Sequence, residues 1–132
     1  MRIVYDTNVL APILLRRGEV LKLKHYVKNN NVLVLTSEFI LDELAEVLRI
    51  RLGMTKQHAK ASSRAFIKIT QVVKPTIIES ITRDPDDDYI LATAVAGNAD
   101  YIVTLDEDLL VLKEYKGIKI IKPTELDRML QN

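Results

Sequence analysis

Short apolar runs of strand length recur along this chain with helix-patterned stretches between them, and that alternation limits the fold more than any other feature. Ile3-Val4-Tyr5, Val32-Leu33-Val34-Leu35, Tyr101-Ile102-Val103-Thr104 and Ile118-Lys119-Ile120-Ile121 read as strands. Val72-Val73 and Ile77-Ile78, around Pro75, are weaker candidates. Helices are expected from Asn8 to Leu15, from Glu19 to Lys28, from a Thr36-Ser37 cap to Arg51 with Gly53 as the stop, and from Thr55 to Gln71. Asp84 followed by Pro85 reads as a helix cap and first helical position, and that helix runs to Gly97-Asn98. A short helix starts near Asp106, and Pro123 opens the last one. Such alternation predicts an α/β domain on a central parallel sheet, whose ligands bind beyond the C-terminal strand ends near the switch in strand order. The residues to inspect are therefore Asp6, Thr36-Ser37, Thr104 to Asp108, and Lys122.

Composition narrows the chemistry. At 132 residues the chain has the length of one domain, expected to span residues 1–132. Cysteine is absent, and the two histidines, His25 and His58, lack metal-ligand spacing and read as surface residues. This excludes disulfides, thiolate metal sites and thiol nucleophiles, and argues against a zinc enzyme or a Ser-His-Asp hydrolase. No glycine-rich phosphate loop is present. No apolar run reaches the ~18 residues of a membrane span, and the chain starts as a strand rather than a signal peptide, so a cytoplasmic location is expected. The formal net charge of +1 says nothing about partners.

Several acids stand where solvated charges do not belong. On the helix through Ile40, Leu44, Val47 and Leu48, Glu43 lies roughly 60° from Ile40, inside the apolar arc, while Asp42 points away. On the helix through Ile90, Leu91, Ala94 and Val95, Asp87 falls roughly at the centre of the apolar arc, with Asp86 and Asp88 at its edges. Favourable placement at a helix N-terminus explains the run Asp84 to Asp88 as a whole, but predicts no preference for the buried face. Asp84 reads as the N-cap. Asp6 and Asp106 follow strands, and Asp108 comes two residues later. Singly each of these is an ordinary cap. Together, close carboxylates repel one another unless a cation neutralises them, and the cation suited to oxygen ligands without histidine or cysteine is Mg²⁺ or Mn²⁺.

Asp6-Thr7-Asn8-Val9-Leu10, Ser37 with Asp42-Glu43-Leu44, Asp84-Pro85-Asp86-Asp87, and Val103-Thr104-Leu105-Asp106-Glu107-Asp108-Leu109-Leu110 resemble, in order and over nearly the whole chain, the PIN-domain family. The resemblance is nearest to the single-domain VapC-like toxins of prokaryotic toxin–antitoxin pairs. It implies a three-layer α/β sandwich around five parallel strands, and an acidic pocket that holds Mg²⁺ or Mn²⁺ and cleaves RNA with metal-activated water. By position, Asp6, Glu43, Asp87 and Asp106 match the four family acids, and Asp108 a frequent further metal ligand. Thr7, Asn8 and Thr104 match supporting polar positions, and Asp84 an acid common in this branch. Leu105 departs from the family, where glycine is frequent. The resemblance also implies an RNA substrate, a cognate antitoxin and a homodimer.

Residues 47–78 hold seven Lys/Arg and no Asp/Glu. Lys56, Lys60, Arg64 and Lys68 recur every fourth residue and form a stripe on the expected helix, opposite Ala59, Ala65, Phe66 and Ile69. The stripe reads either as a solvated helix face or as a track for an RNA backbone. The few aromatics are not interleaved with these charges, so base stacking is not evident in the sequence. Rival functions remain open at this stage: a PIN fold that binds RNA or a partner without cutting, a nuclease of RNA maturation or decay, and a receiver-like phospho-signalling domain. Thr104 and Lys122-Pro123 fit a receiver, but Val72-Val73-Lys74-Pro75 carries no acid and only Asp6 ends the first strand.

Overall fold

The strands pair as the apolar runs predict. The computed structural model describes residues 1–131. In it β1 (Arg2–Tyr5), β2 (Leu33–Thr36), β3 (Thr70–Val72), β4 (Tyr101–Val103), β5 (Glu114–Tyr115) and β6 (Ile118–Ile121) form one sheet in the order β3-β2-β1-β4-β6-β5. The first four and β6 are parallel neighbours, while β5 runs antiparallel at the edge. Ile3, Val4, Val34, Leu35, Ile102 and Val103 are all buried, which is why these strands read as continuous apolar runs rather than alternating ones.

Seven helices connect them: α1 (Thr7–Leu15), α2 (Arg17–Asn29), α3 (Glu38–Leu52), α4 (Lys56–Ala65), α5 (Pro85–Ala96), α6 (Glu107–Leu110) and α7 (Pro123–Leu130). The steps β1 to β2 to β3 run one way across the sheet, and the step through α5 to β4 runs back. Right-handed crossovers therefore put α1–α4 on one face and α5 on the other. Packing agrees, with α1 against α2 and α3, α3 against α4, and α5 on β1, β2 and β4. Asp127 of α7 accepts hydrogen bonds from Lys22 and Tyr26, which ties α7 to α2. The predicted caps are present: Ser37 Oγ accepts from the Ile40 N–H, Thr55 Oγ1 from the His58 N–H, and Asp84 Oδ1 from the Asp86 N–H.

Three expectations are corrected. The sheet has six strands rather than five, because Lys116 (φ 49°) and Gly117 (φ 81°) make a two-residue turn that folds Glu114–Tyr115 back on β6. Positive φ at both central residues is the hairpin-forming turn, and it went unread in the Lys-Gly pair. The third strand is Thr70–Val72, and Ile77-Ile78 is not a strand. The Val73 N–H makes the last bond towards β2, to Thr36 O at 2.8 Å, and Pro75 has no N–H to extend the ladder. Finally, the helix expected to Gln71 stops at Ala65 and tightens into a 3₁₀ turn over Phe66–Ile69, since Thr70 must already be extended to pair with Val34.

The end of the irregular segment 73–84, at Ile81 and Thr82, is fastened to α5 by the Asp88 side chain. Asp88 Oδ1 accepts from the Ile81 N–H (3.0 Å), the Thr82 N–H (2.8 Å) and Thr82 Oγ1 (3.1 Å). Burial pushes its carboxyl up, but these bonds outweigh it and hold it below the usual carboxylate range. Replacing Asp88 by Ala is expected to cost about 2 kcal/mol, as for hydrogen bonds to a charged group. Because the folded carboxyl is lowered, its contribution is full above about pH 4 and fades as pH falls through the folded value. Urea denaturation of both proteins at pH 7 and pH 3 checks this, with the difference expected to shrink at pH 3.

Candidate metal centre

The order in which strands are added to the sheet reverses between β1 and β4, so the crevice beyond their C-terminal ends is the place this topology opens for a ligand. Asp6 leaves β1 there, its N–H donating to Val103 O at 2.9 Å. Thr104 leaves β4 there, its N–H bound to Ile121 O at 2.9 Å. The buried Thr104 hydroxyl donates to Asp6 Oδ2 (2.8 Å) and accepts from the Asp106 N–H (2.9 Å). Asp106 Oδ1 in turn accepts from the Asp108 N–H at 2.9 Å, which opens α6. From the opposite face α5 delivers Asp87 in its first turn, a position set by the Asp84-Pro85 start. Asp6, Asp87 and Asp106 each place a carboxylate oxygen within 4.8 Å of the other two.

Among the described residues no salt bridge reaches Asp6, Asp87 or Asp106, the neighbouring cation, Arg83, being paired with Asp108. Asp87 is buried, and its Oδ2 has no hydrogen-bond partner. Burial pushes its carboxyl up, the charges of Asp106, Asp84 and Asp6 add to that, and it reaches about 7. Asp6 is raised by burial, against the lowering effect of the Thr104 hydroxyl. Thr7 Oγ1, also buried beside Asp6, has no partner either. Unpaired carboxylate and hydroxyl oxygens, with no nitrogen or sulfur donor among them, fit a hard divalent cation of the Mg²⁺ or Mn²⁺ type.

Glu43 is half-buried in the second turn of α3, outside the tight triad but on the same crevice. Burial raises its carboxyl, against the lowering effect of the nearby Thr7 hydroxyl, and the charges of Asp86 and Asp6 push it further up. Asp86 is thus a neighbour of Glu43 that the sequence did not single out. The only hint was its position at the edge of the apolar arc on α5. Asp84 is the cap of α5, as expected. Asp108 is not brought to the triad: its carboxylate takes a bidentate bond from Arg83, Nε at 3.1 Å and Nη2 at 3.0 Å. Asn8 is exposed at the start of α1. Lys56 and Lys60 project from α4, with Lys68 on the following 3₁₀ turn. Arg64 of the same stripe is committed to Glu38, at 2.9 and 2.7 Å.

The PIN-domain family profile matches residues 2–108. The chain belongs to the PIN-domain family. Among solved structures, this PIN domain is similar to VapBC2 from Rickettsia felis bound to a DNA fragment from its promoter, at 15% identity, 91% of this chain, 97% of that chain and a TM-score of 0.64. It is similar to VapBC-1 from nontypeable Haemophilus influenzae, at 14% identity, 94% and 99% coverage and a TM-score of 0.64. It is also similar to VapC20 from Mycobacterium tuberculosis, described as a sarcin-ricin loop cleaving toxin, at 15% identity, 89% and 98% coverage and a TM-score of 0.59. At these identities the likeness is one of fold. No curated protein matches the sequence.

The raised Asp87 carboxyl makes the PIN domain's metal-free stability fall with pH. Its folded value lies above the unfolded one, so the folded state binds more protons between about pH 4 and 7, and stability drops over that window. In chelator, Asp87→Asn is expected to match wild type at pH 4 and to melt about 3 °C or more above it at pH 8. Adding Mn²⁺ is expected to raise the wild-type melting temperature more at pH 8 than at pH 6, and to leave the variant nearly unmoved. Thermal melts at these pH values check both.

Proposed function

We propose that this PIN domain is a divalent-metal-dependent ribonuclease, and that it serves as the toxin of a toxin–antitoxin pair. The observation that carries the reading is the convergence of Asp6, Asp87 and Asp106 at the switch crevice, with a buried Asp87 oxygen left unpartnered. The toxin role is supported by the solved structures that share the fold: two are VapBC complexes and one is described as a cleaving toxin. An antitoxin partner follows from the same likeness.

Asp6, Asp87 and Asp106 would hold the cation, with Glu43 beside them to ligate directly or through water. When bound, Mg²⁺ or Mn²⁺ lowers the pKa of water and neutralises charge on a phosphodiester. The residues of this chain supply the rest. The Thr104 hydroxyl, bound to Asp6 Oδ2, fixes the orientation of Asp6. The Asp87 carboxyl, raised to about 7, is poised to take up or release a proton near neutral pH, and burial raises Glu43 in the same direction. Val4, Val103 and Leu109, all near the acids in sequence, are fully buried, and charge interactions at the edge of such a core are strengthened.

Two measurements test the proposal. Wild type is expected to cut single-stranded RNA with Mg²⁺ or Mn²⁺ and not with chelator, and Asp87→Asn prepared in parallel is expected to lose about 100-fold or more, the upper range for disturbing a metal shell. Equal cutting by both proteins would refute the assignment. The basic stripe is tested separately, because Lys56, Lys60 and Lys68 stay available for phosphates while Arg64 is bound to Glu38. Reversing Lys60 to Glu is expected to weaken RNA binding equally across sequences and to flatten the salt dependence by about one ion. Arg64→Glu is expected to change it less than Lys60→Glu.

A further inference from the structure

Directly beside the acid triad the fold encloses a second feature. A cavity of about 250 Å³ lies between α1, α2, α7 and the end of the sheet. Its lining includes Tyr5, Asn8, Arg16, Glu19, Tyr26 and Leu105. Tyr5 immediately precedes Asp6, and Leu105 immediately precedes Asp106, so the cavity wall stands one peptide unit, roughly 3.8 Å between Cα atoms, from two members of the triad. The size is a little below the roughly 300–1,000 Å³ of sites for drug-sized ligands, which leaves room for one planar ring system and not for a duplex.

The wall chemistry is divided. Tyr26 donates to Asp127 at 2.9 Å, and Lys22 bridges Glu19 and Asp127, each at 3.1 Å, so the far end is a self-satisfied network. The near end is not. Arg16, at the α1–α2 corner, and the exposed Asn8 amide make no side-chain bond among the described residues. Leu105 exposes 60% of its surface on the lip. Tyr5 and Tyr26 only back the wall, being 4% and 3% exposed, but the planar Arg16 guanidinium, two proline faces (Pro12 and Pro123), an exposed leucine and an amide at the rim match groups that receive a splayed-out base.

We infer that this cavity is a nucleobase subsite, which takes one unpaired base next to the phosphodiester held over Asp6, Asp87 and Asp106. The inference rests on the ribonuclease reading above. The base would lie against the proline faces and the Arg16 guanidinium, with Asn8 at its hydrogen-bonding edge and Leu105 closing over it. Leu105 and Arg16 then set which base is accepted, while the triad sets the chemistry.

The test pairs cleavage with a binding signal that needs no turnover. Wild type, Arg16→Gln and Leu105→Gly are given an RNA pool randomised around the cut position, with Mn²⁺. Separately they are titrated with a short cleavage-resistant oligonucleotide carrying 2-aminopurine next to the central phosphate, with Ca²⁺. Wild type is expected to prefer one base at one position flanking the cut, and to quench the 2-aminopurine. Both variants are expected to keep cutting while that preference flattens, and to bind the oligonucleotide at least about fivefold more weakly, the low end for loss of one stacked base. A wild type that cuts without preference, or variants with unchanged preference and affinity, would overturn the subsite alone and leave the cavity to a protein ligand. A wild type that neither cuts nor binds RNA would overturn the ribonuclease reading, and the subsite with it.

Discussion

The Thr104 hydroxyl is the hinge on which the site depends. It donates to Asp6 at the end of β1 and accepts from the Asp106 N–H beyond β4, two segments 98 residues or more apart in their link through the sheet. The bond from Asp106 is local, but the bond to Asp6 exists only because β1 and β4 are direct parallel neighbours, in register from Ile3 opposite Tyr101 to Tyr5 opposite Val103. One buried hydroxyl thus turns a strand pairing into a fixed spacing between two carboxylates. The third acid is then brought in by α5, whose start is set by the Asp84 cap and Pro85.

The arrangement carries an electrostatic cost that a structural role does not explain. Three carboxylates share a small volume, and Asp87, itself buried, has an oxygen without a partner. Repulsion of this kind raises carboxyl pKa values and weakens the folded state at neutral pH. Asp88, one residue along the same helix, shows the opposite solution: three hydrogen bonds satisfy one oxygen and hold its carboxyl low. Adjacent aspartates on one helix turn therefore do different work. Asp88 fastens the segment before α5, and Asp87 leaves an unpartnered oxygen beside Asp6 and Asp106.

Much of this was legible in the linear chain. Apolar runs marked the strands of the parallel sheet because those strands are buried on both sides. Ser37, Thr55 and Asp84 marked helix starts because capping is a local interaction. Helical angles picked out Glu43 and Asp87, and excluded Asp42, since burial of a helix face follows from its own periodicity. Less legible were features that depend on a partner far along the chain. Asp108 meets Arg83, Arg64 meets Glu38, and Asp86 adjoins Glu43, and no spacing rule encodes those pairs. The edge strand at Glu114–Tyr115 was missed because two residues carry no periodic signal.

By itself the sequence determined the α/β class, the order of its main elements and which acids would leave strand ends or sit on buried helix arcs, because those properties arise from neighbours within a few residues. The tertiary structure alone decided which carboxylates converge, that Asp108 and Arg64 are spent on ion pairs, and that Tyr5 and Tyr26, 21 residues apart, line one cavity beside the triad. The physical reason is that strand order is not written in any single segment. It emerges when the sheet assembles, and the crevice between β1 and β4 exists only after it has.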